Sequence, residues 1–127
     1  MSDVLIIEDE LGVREFLRHA LSRVAIPYRA ATSGTQALKL ASGCWPGVVL
    51  LDLTLPGRLD GWQVWDALSE MSAGRPLQVV VFAAELTDSD QAQALQRNAC
   101  GILRKPVSPE RLVTTIREVL EQAELEA

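Results

Sequence analysis

The residues best suited to chemistry are acids and a lysine, each set at or just beyond the end of a short apolar run. Glu8, Asp9 and Glu10 follow Val4–Ile7, Asp52 follows Val48–Leu51, and Lys105 follows Ile102, Leu103 and Arg104. Carboxylates brought together repel, and each is driven toward its protonated form unless a cation offsets the charge. Mg2+ meets that need: it takes octahedral oxygen coordination, uses one or two carboxylates and leaves places for water and a phosphoryl oxygen. A lysine supplies a mobile positive charge for the same oxygens. An aspartate nucleophile beside such an ion and a lysine is equipment for forming an acyl phosphate. Taken singly, an aspartate after a strand is a turn or a cap, and Lys105-Pro106 is a loop. The chemistry rests on the set being brought together.

The elements between these residues decide whether they converge. Val4–Ile7, Val48–Leu51 and Val79–Phe82 are apolar runs too short for helices and rich in branched residues, which predicts buried strands. Weaker strand patterns lie at Tyr28–Ala31 and Gly101–Leu103. Leu11, Phe16, Leu17, Ala20, Leu21 and Val24 give one apolar helical face. Ser33 caps a helix that ends near Gly43, Asp60 caps one through Trp62, Trp65 and Leu68, and Thr87 or Asp88 caps one through Leu95. Ser108 followed by Pro109 opens a last helix through Leu112, Ile116, Val119 and Leu120. The acidic tail after Glu121 is expected to fray. Alternating strands and helices imply right-handed crossovers, a parallel sheet with helices on both faces, and a crevice at the carboxyl ends of the strands.

Composition excludes other classes. The chain of 127 residues forms one domain, residues 1–127, and 48% hydrophobic residues supply a packed core. A net charge of -5 is wrong for a nucleic-acid face. No apolar run approaches a membrane span, and the start MSDVLIIEDE is acidic where a secretory signal would be basic, so a cytoplasmic protein is expected. Cys44 and Cys100 lack metal or disulfide spacing and are expected to be buried or idle.

Several pieces together resemble the receiver domains of response regulators in two-component, phosphorelay signal transduction, of the chemotaxis-regulator-like kind. They are Leu5-Ile6-Ile7-Glu8-Asp9-Glu10, Val48-Val49-Leu50-Leu51-Asp52-Leu53-Thr54-Leu55-Pro56-Gly57, Asp60-Gly61, and Asn98-Ala99-Cys100-Gly101-Ile102-Leu103-Arg104-Lys105-Pro106. The resemblance covers essentially the whole length. It implies a flavodoxin-like doubly wound (βα)5 fold with strand order 2-1-3-4-5. It implies that Asp52 is the phosphoacceptor, that Asp9 binds Mg2+ (or Mn2+) directly, and that Glu8 is its acidic neighbour. The backbone carbonyl at Thr54 is implied as a further metal ligand, Lys105 as the residue contacting the phosphoryl group, and the peptide to Pro106 as cis. The implied partners are a sensor histidine kinase or a histidine phosphotransfer protein, a downstream target or fused output domain, and a second copy of the domain. Neither nucleic acid nor membrane is expected to bind directly. No turnover enzyme is expected, only self-phosphorylation and autodephosphorylation.

Three positions depart from the family. Ala83 stands where Thr or Ser usually ends strand four, Ile102 stands where Tyr or Phe usually precedes the lysine by three residues, and the loop Pro56–Gly61 is one residue longer. The missing hydroxyl and ring weaken the usual link from Asp52 to the fourth helix. Two readings follow: phosphorylation with signalling by another route, or a constitutive docking and dimerisation module with a relic site. The intact acids and Lys105 favour the first. A haloacid-dehalogenase-like phosphatase would want a second acid two residues after its nucleophile, where this chain has Thr54. A flavodoxin-type FMN binder would want a hydroxyl-rich loop in place of Glu8-Asp9-Glu10, and the P-loop motif is missing. Trp62 and Trp65 read as a helix packed on the sheet, Arg14, Arg18 and Arg23 as a solvated basic face, and His19 as a surface histidine. Glu85 is a loop acid placed near the end of strand four.

Overall fold

A computed structural model describes residues 3–55 and 57–126. Met1 and Ser2 of the acid-flanked start, Pro56 of the lengthened loop, and Ala127 lie outside the described residues. The order is β1 (Val4–Ile7), α1 (Leu11–Arg23), β2 (Tyr28–Ala31), α2 (Gly34–Gly43), β3 (Val48–Asp52), α3 (Gly61–Met71), β4 (Val79–Ala83), α4 (Asp88–Gln96), β5 (Gly101–Arg104) and α5 (Pro109–Glu126). The five strands form one parallel sheet in the order β2-β1-β3-β4-β5, the expected flavodoxin-like arrangement.

The apolar runs become strands because both faces of the sheet are covered. Val4, Ile6, Val48, Leu50, Val80, Phe82 and Leu103 feed one core with Leu17, Leu21, Leu112 and Ile116 of α1 and α5. Leu5, Ile7, Val49, Leu51, Val79 and Val81 feed another with Ala37, Ala41, Val64, Trp65 and Leu68 of α2 and α3. Each fully buried aliphatic side chain stabilises by roughly 1.5–3 kcal/mol relative to exposure. Two-residue alternation therefore splits each central strand between two cores.

Helix starts follow the sequence signals. Ser33 accepts from the Gln36 amide, and Asp60 and Thr87 form reciprocal capping boxes with Gln63 and Asp90. The Ser108 hydroxyl accepts from the Arg111 amide. β3, β4 and β5 each run one residue beyond the predicted ends, so Asp52 is the last residue of its strand rather than the first of a loop. α5 continues to Glu126, and Ala123 extends the apolar period of Leu112, Ile116 and Val119 and is buried. Cys44 and Cys100 are both exposed, so the buried alternative does not hold. No helix among the described residues is long and apolar enough to cross a membrane.

The helix pair α3 and α4 is tied by aromatic contacts. The Trp62 and Trp65 rings stack at 5.9 Å, and the Arg97 guanidinium lies 4.8 Å from the Trp62 ring centre and 3.0 Å from Asp66. Otherwise α4 is lightly anchored, burying only Ala94.

Gly61 seats α3 directly on the end of β3. A Cβ there would lie 2.6 Å from Leu53 Cα and 3.0 Å from the Asp52 carbonyl oxygen, both backbone atoms that cannot swing aside. Gly61→Ala is therefore expected to cost about 2–4 kcal/mol, read as a lower urea midpoint at unchanged slope. A stability within experimental error of wild type contradicts this packing.

Candidate functional site

Strand alternation aims the chemistry. Glu8 has the parity of Val4 and Ile6, Asp52 that of Val48 and Leu50, and Lys105 that of Leu103, all members of the core beneath α1 and α5. The ladder extends past the strands to hold these residues: the Glu8 amide donates to Ala31 O at 3.0 Å, and the Lys105 amide to Ala83 O at 2.9 Å. Three side chains from three strand ends therefore meet on one face of the sheet.

Glu8 is 1% exposed and Asp52 4%, whereas Asp9 is exposed at the rim. Lys105 Nζ lies 2.6 Å from Glu8 Oε1 and 3.4 Å from Asp52 Oδ2, above the Phe82 ring at 5.2 Å. Asp52 Oδ1 accepts from the Thr54 amide at 2.9 Å. The Lys105–Pro106 peptide is cis. A cavity of about 490 Å3 flanks the site between Val13 and Phe16 of α1 and Phe82, Lys105 and Pro106.

One lysine does not neutralise this set. Burial, reinforced by the contact with Asp52 and opposed by Lys105, raises the Glu8 carboxyl to about 7. Burial by itself lowers the Lys105 ammonium, but its bond to Glu8 and the charge of Asp52 outweigh that, and its net direction is upward. Glu8 Oε1 is fully buried against the Lys105 ammonium, which it shares with Asp52. Oxygen atoms of Glu8, Asp9 and Asp52 lie within 4.8 Å of one another. Two buried carboxylates sharing one ammonium, a carboxyl held toward neutrality and an all-oxygen donor set fit a hard divalent cation.

The structure brings together Glu8, Asp9, Asp52 and Lys105, with Thr54 bonded through its amide to Asp52. Ala83 is buried, and Ile102 packs on the core beneath α2 and α3, on the opposite side of the sheet from the carboxylates. Glu85 is exposed beyond β4. Arg14, read from the sequence as part of a solvated face, is instead half-buried against the loop that carries Glu8 and Asp9. Its place one turn into α1, four residues after Glu10, is the only sequence signal for that. The Phe82 ring beneath Lys105 also escaped the sequence reading, because the run Val79–Phe82 gives no hint of a polar neighbour.

The family model described as response regulator receiver domain matches residues 4–117. The response regulator MprA of Mycobacterium ulcerans (strain Agy99) is 32% identical over 123 residues, covering 97% of this chain and 52% of that protein. The phosphate regulon transcriptional regulatory protein PhoB of Escherichia coli (strain K12) is 31% identical over 117 residues, 92% of this chain and 51% of that protein. The chain spans about half the length of these curated relatives. The solved receiver domain of NtrX from Brucella abortus superposes with a TM-score of 0.85 at 28% identity, covering 94% of this chain and 98% of that one.

Proposed function

Because this chain belongs to the response regulator receiver domain family of two-component signalling, we propose that it accepts a phosphoryl group on Asp52 from a phosphohistidine of a sensor kinase or phosphotransfer protein. The observation that carries this reading is the pairing of Lys105 with both Glu8 and Asp52 in a buried pocket that remains short of positive charge. Glu8, Asp9 and Asp52 would hold a Mg2+ or Mn2+ ion, with the Thr54 carbonyl as the further expected ligand. When bound, the ion neutralises charge on phosphoryl oxygens.

The chain's own residues divide the remaining work. The Thr54 amide holds one oxygen of Asp52 and orients the carboxylate. An Asp52 oxygen attacks phosphorus, the O–P bond forms, and the P–N bond to the donor imidazole breaks, with the electron pair leaving on nitrogen. The Lys105 ammonium, freed from pairing with the carboxylate, moves to a phosphoryl oxygen. Hydrolysis of the acyl phosphate by water returns the domain to its starting state. No other substrate is turned over.

The domain is read as cytoplasmic, passing its state to a protein target or to an output domain, with a second copy of itself as a further partner. Ala83 favours a second reading, a docking module independent of phosphate, because it removes the hydroxyl that would follow the phosphoryl group. Incubation with a small acyl phosphate and Mg2+, followed by intact mass, separates the two. The expected result is a gain of one phosphoryl group that needs Mg2+. An unchanged mass, with the acyl phosphate and with a kinase alike, leaves the docking reading.

A further inference from the structure

We propose that Arg14 is a positioning residue for the acidic pocket: its guanidinium ties the carbonyls of Glu8 and Asp9 to α1 and thereby sets the aim of both carboxylates toward a divalent cation. The inference rests on the reading of this pocket as a cation site and deepens it.

Apart from the Arg14 guanidinium, the loop between β1 and α1 is held by the Glu8 amide on Ala31 O, the Arg14 amide on Glu10 O and a long contact of 3.5 Å from the Glu10 amide to Glu8 Oε2. Glu10 occupies the N-cap of α1 but makes no side-chain cap bond, and the first turn of α1 carries no acid. The Arg14 Nη1 instead donates to Asp9 O at 2.7 Å and to Glu8 O at 3.1 Å. One planar, permanently charged group thus ties down two successive peptides. Once those peptides are fixed, the Cα–Cβ directions of Glu8 and Asp9 are fixed too. The buried Glu8 and the exposed Asp9 then present oxygens to the same space as Asp52. Mg2+ tolerates little departure from octahedral geometry, so a loop that can rotate gives up affinity even with every ligand present.

Charge and positioning predict opposite signs for the loss of Arg14. If only its charge mattered, removing a cation beside an acidic pocket would tighten Mg2+ binding. If it positions the loop, removal weakens binding. The test is calorimetric titration of wild type, Arg14→Ala, Arg14→Lys and Arg14→Gln with Mg2+, with circular dichroism establishing that each is folded at the titration temperature. The expected result is a loss of about tenfold in affinity for Arg14→Ala. Arg14→Lys, whose ammonium keeps the charge and reaches the carbonyls, recovers most of it. Arg14→Gln is too short to span both carbonyls, weakens binding in the same way, and decides the matter where the alanine variant does not fold. Unchanged or tighter binding in the folded variants overturns the inference alone. Absence of Mg2+ binding by the wild type overturns the cation-site reading, and the inference with it.

Discussion

Asp52→Asn abolishes the mass gain seen with a small acyl phosphate and Mg2+, and in the metal-free protein at about pH 8 it also raises stability by about 1 kcal/mol. The first effect follows because the amide has no anionic oxygen to attack phosphorus, and no second carboxylate takes its place. Glu8 is buried and held by Lys105, while Asp9 lies exposed at the rim. The second effect follows from charge. Glu8 and Asp52 share one ammonium, and Asp52 helps drive the Glu8 carboxyl upward. Removing one of two crowded carboxylates leaves Lys105 and Glu8 as a balanced pair. Intact mass reads the first effect and urea denaturation in chelator reads the second. Persistence of the phosphoryl gain in the variant would place the acceptor elsewhere.

Mg2+ affinity rises steeply with pH through the neutral range. In the metal-free fold the Glu8 carboxyl sits at about 7, well above its ordinary 4.5, with burial as the main cause. The protonated form is the one favoured when no cation offsets the charge. Its stabilising contribution is complete below about pH 4.5 and is lost as pH rises through about 7. A divalent ion calls for the ionised form, so binding below that point releases a proton. Apparent affinity is expected to climb by up to about tenfold per pH unit between about pH 5.5 and 7, and to level off above about pH 8. Titrations in buffers of different protonation enthalpy count the proton directly. Glu8→Gln flattens the profile, and a wild-type profile equally flat over this range would remove Glu8 from the coupling.

Much of this arrangement was legible because it rests on period and punctuation. Val4, Ile6 and then Glu8, or Val48, Leu50 and then Asp52, carry their facing in the alternation itself, and Ser33, Asp60, Thr87 and Ser108 announce their helices. What stayed hidden depends on the third dimension. Glu8 and Asp9 are neighbours with similar side chains, yet only Glu8 is buried, because the ladder continues one amide past β1 to Ala31. Arg14 looked like its neighbours Arg18 and Arg23, and only the path of the loop turns its guanidinium inward. The reach of α5 to Glu126 was hard to read because its acids mask Ala123, a small residue that continues the packed face. Leu55 is buried although it stands in the loop after Asp52, where pattern gives no period to follow.

Because each central strand contributes alternate residues to two cores, neither core can open without dragging the same backbone with it. The sheet interior is thus a single mechanical unit clamped from both sides, and local fluctuation is confined to elements that lean on one side only. Asp52 closes β3, inside that clamped unit, whereas α4 holds on through Ala94 and the Arg97 stack. Asp52 therefore stands on a part of the fold held from both sides, while α4 leans on it from one side through a single buried alanine and an arginine stack.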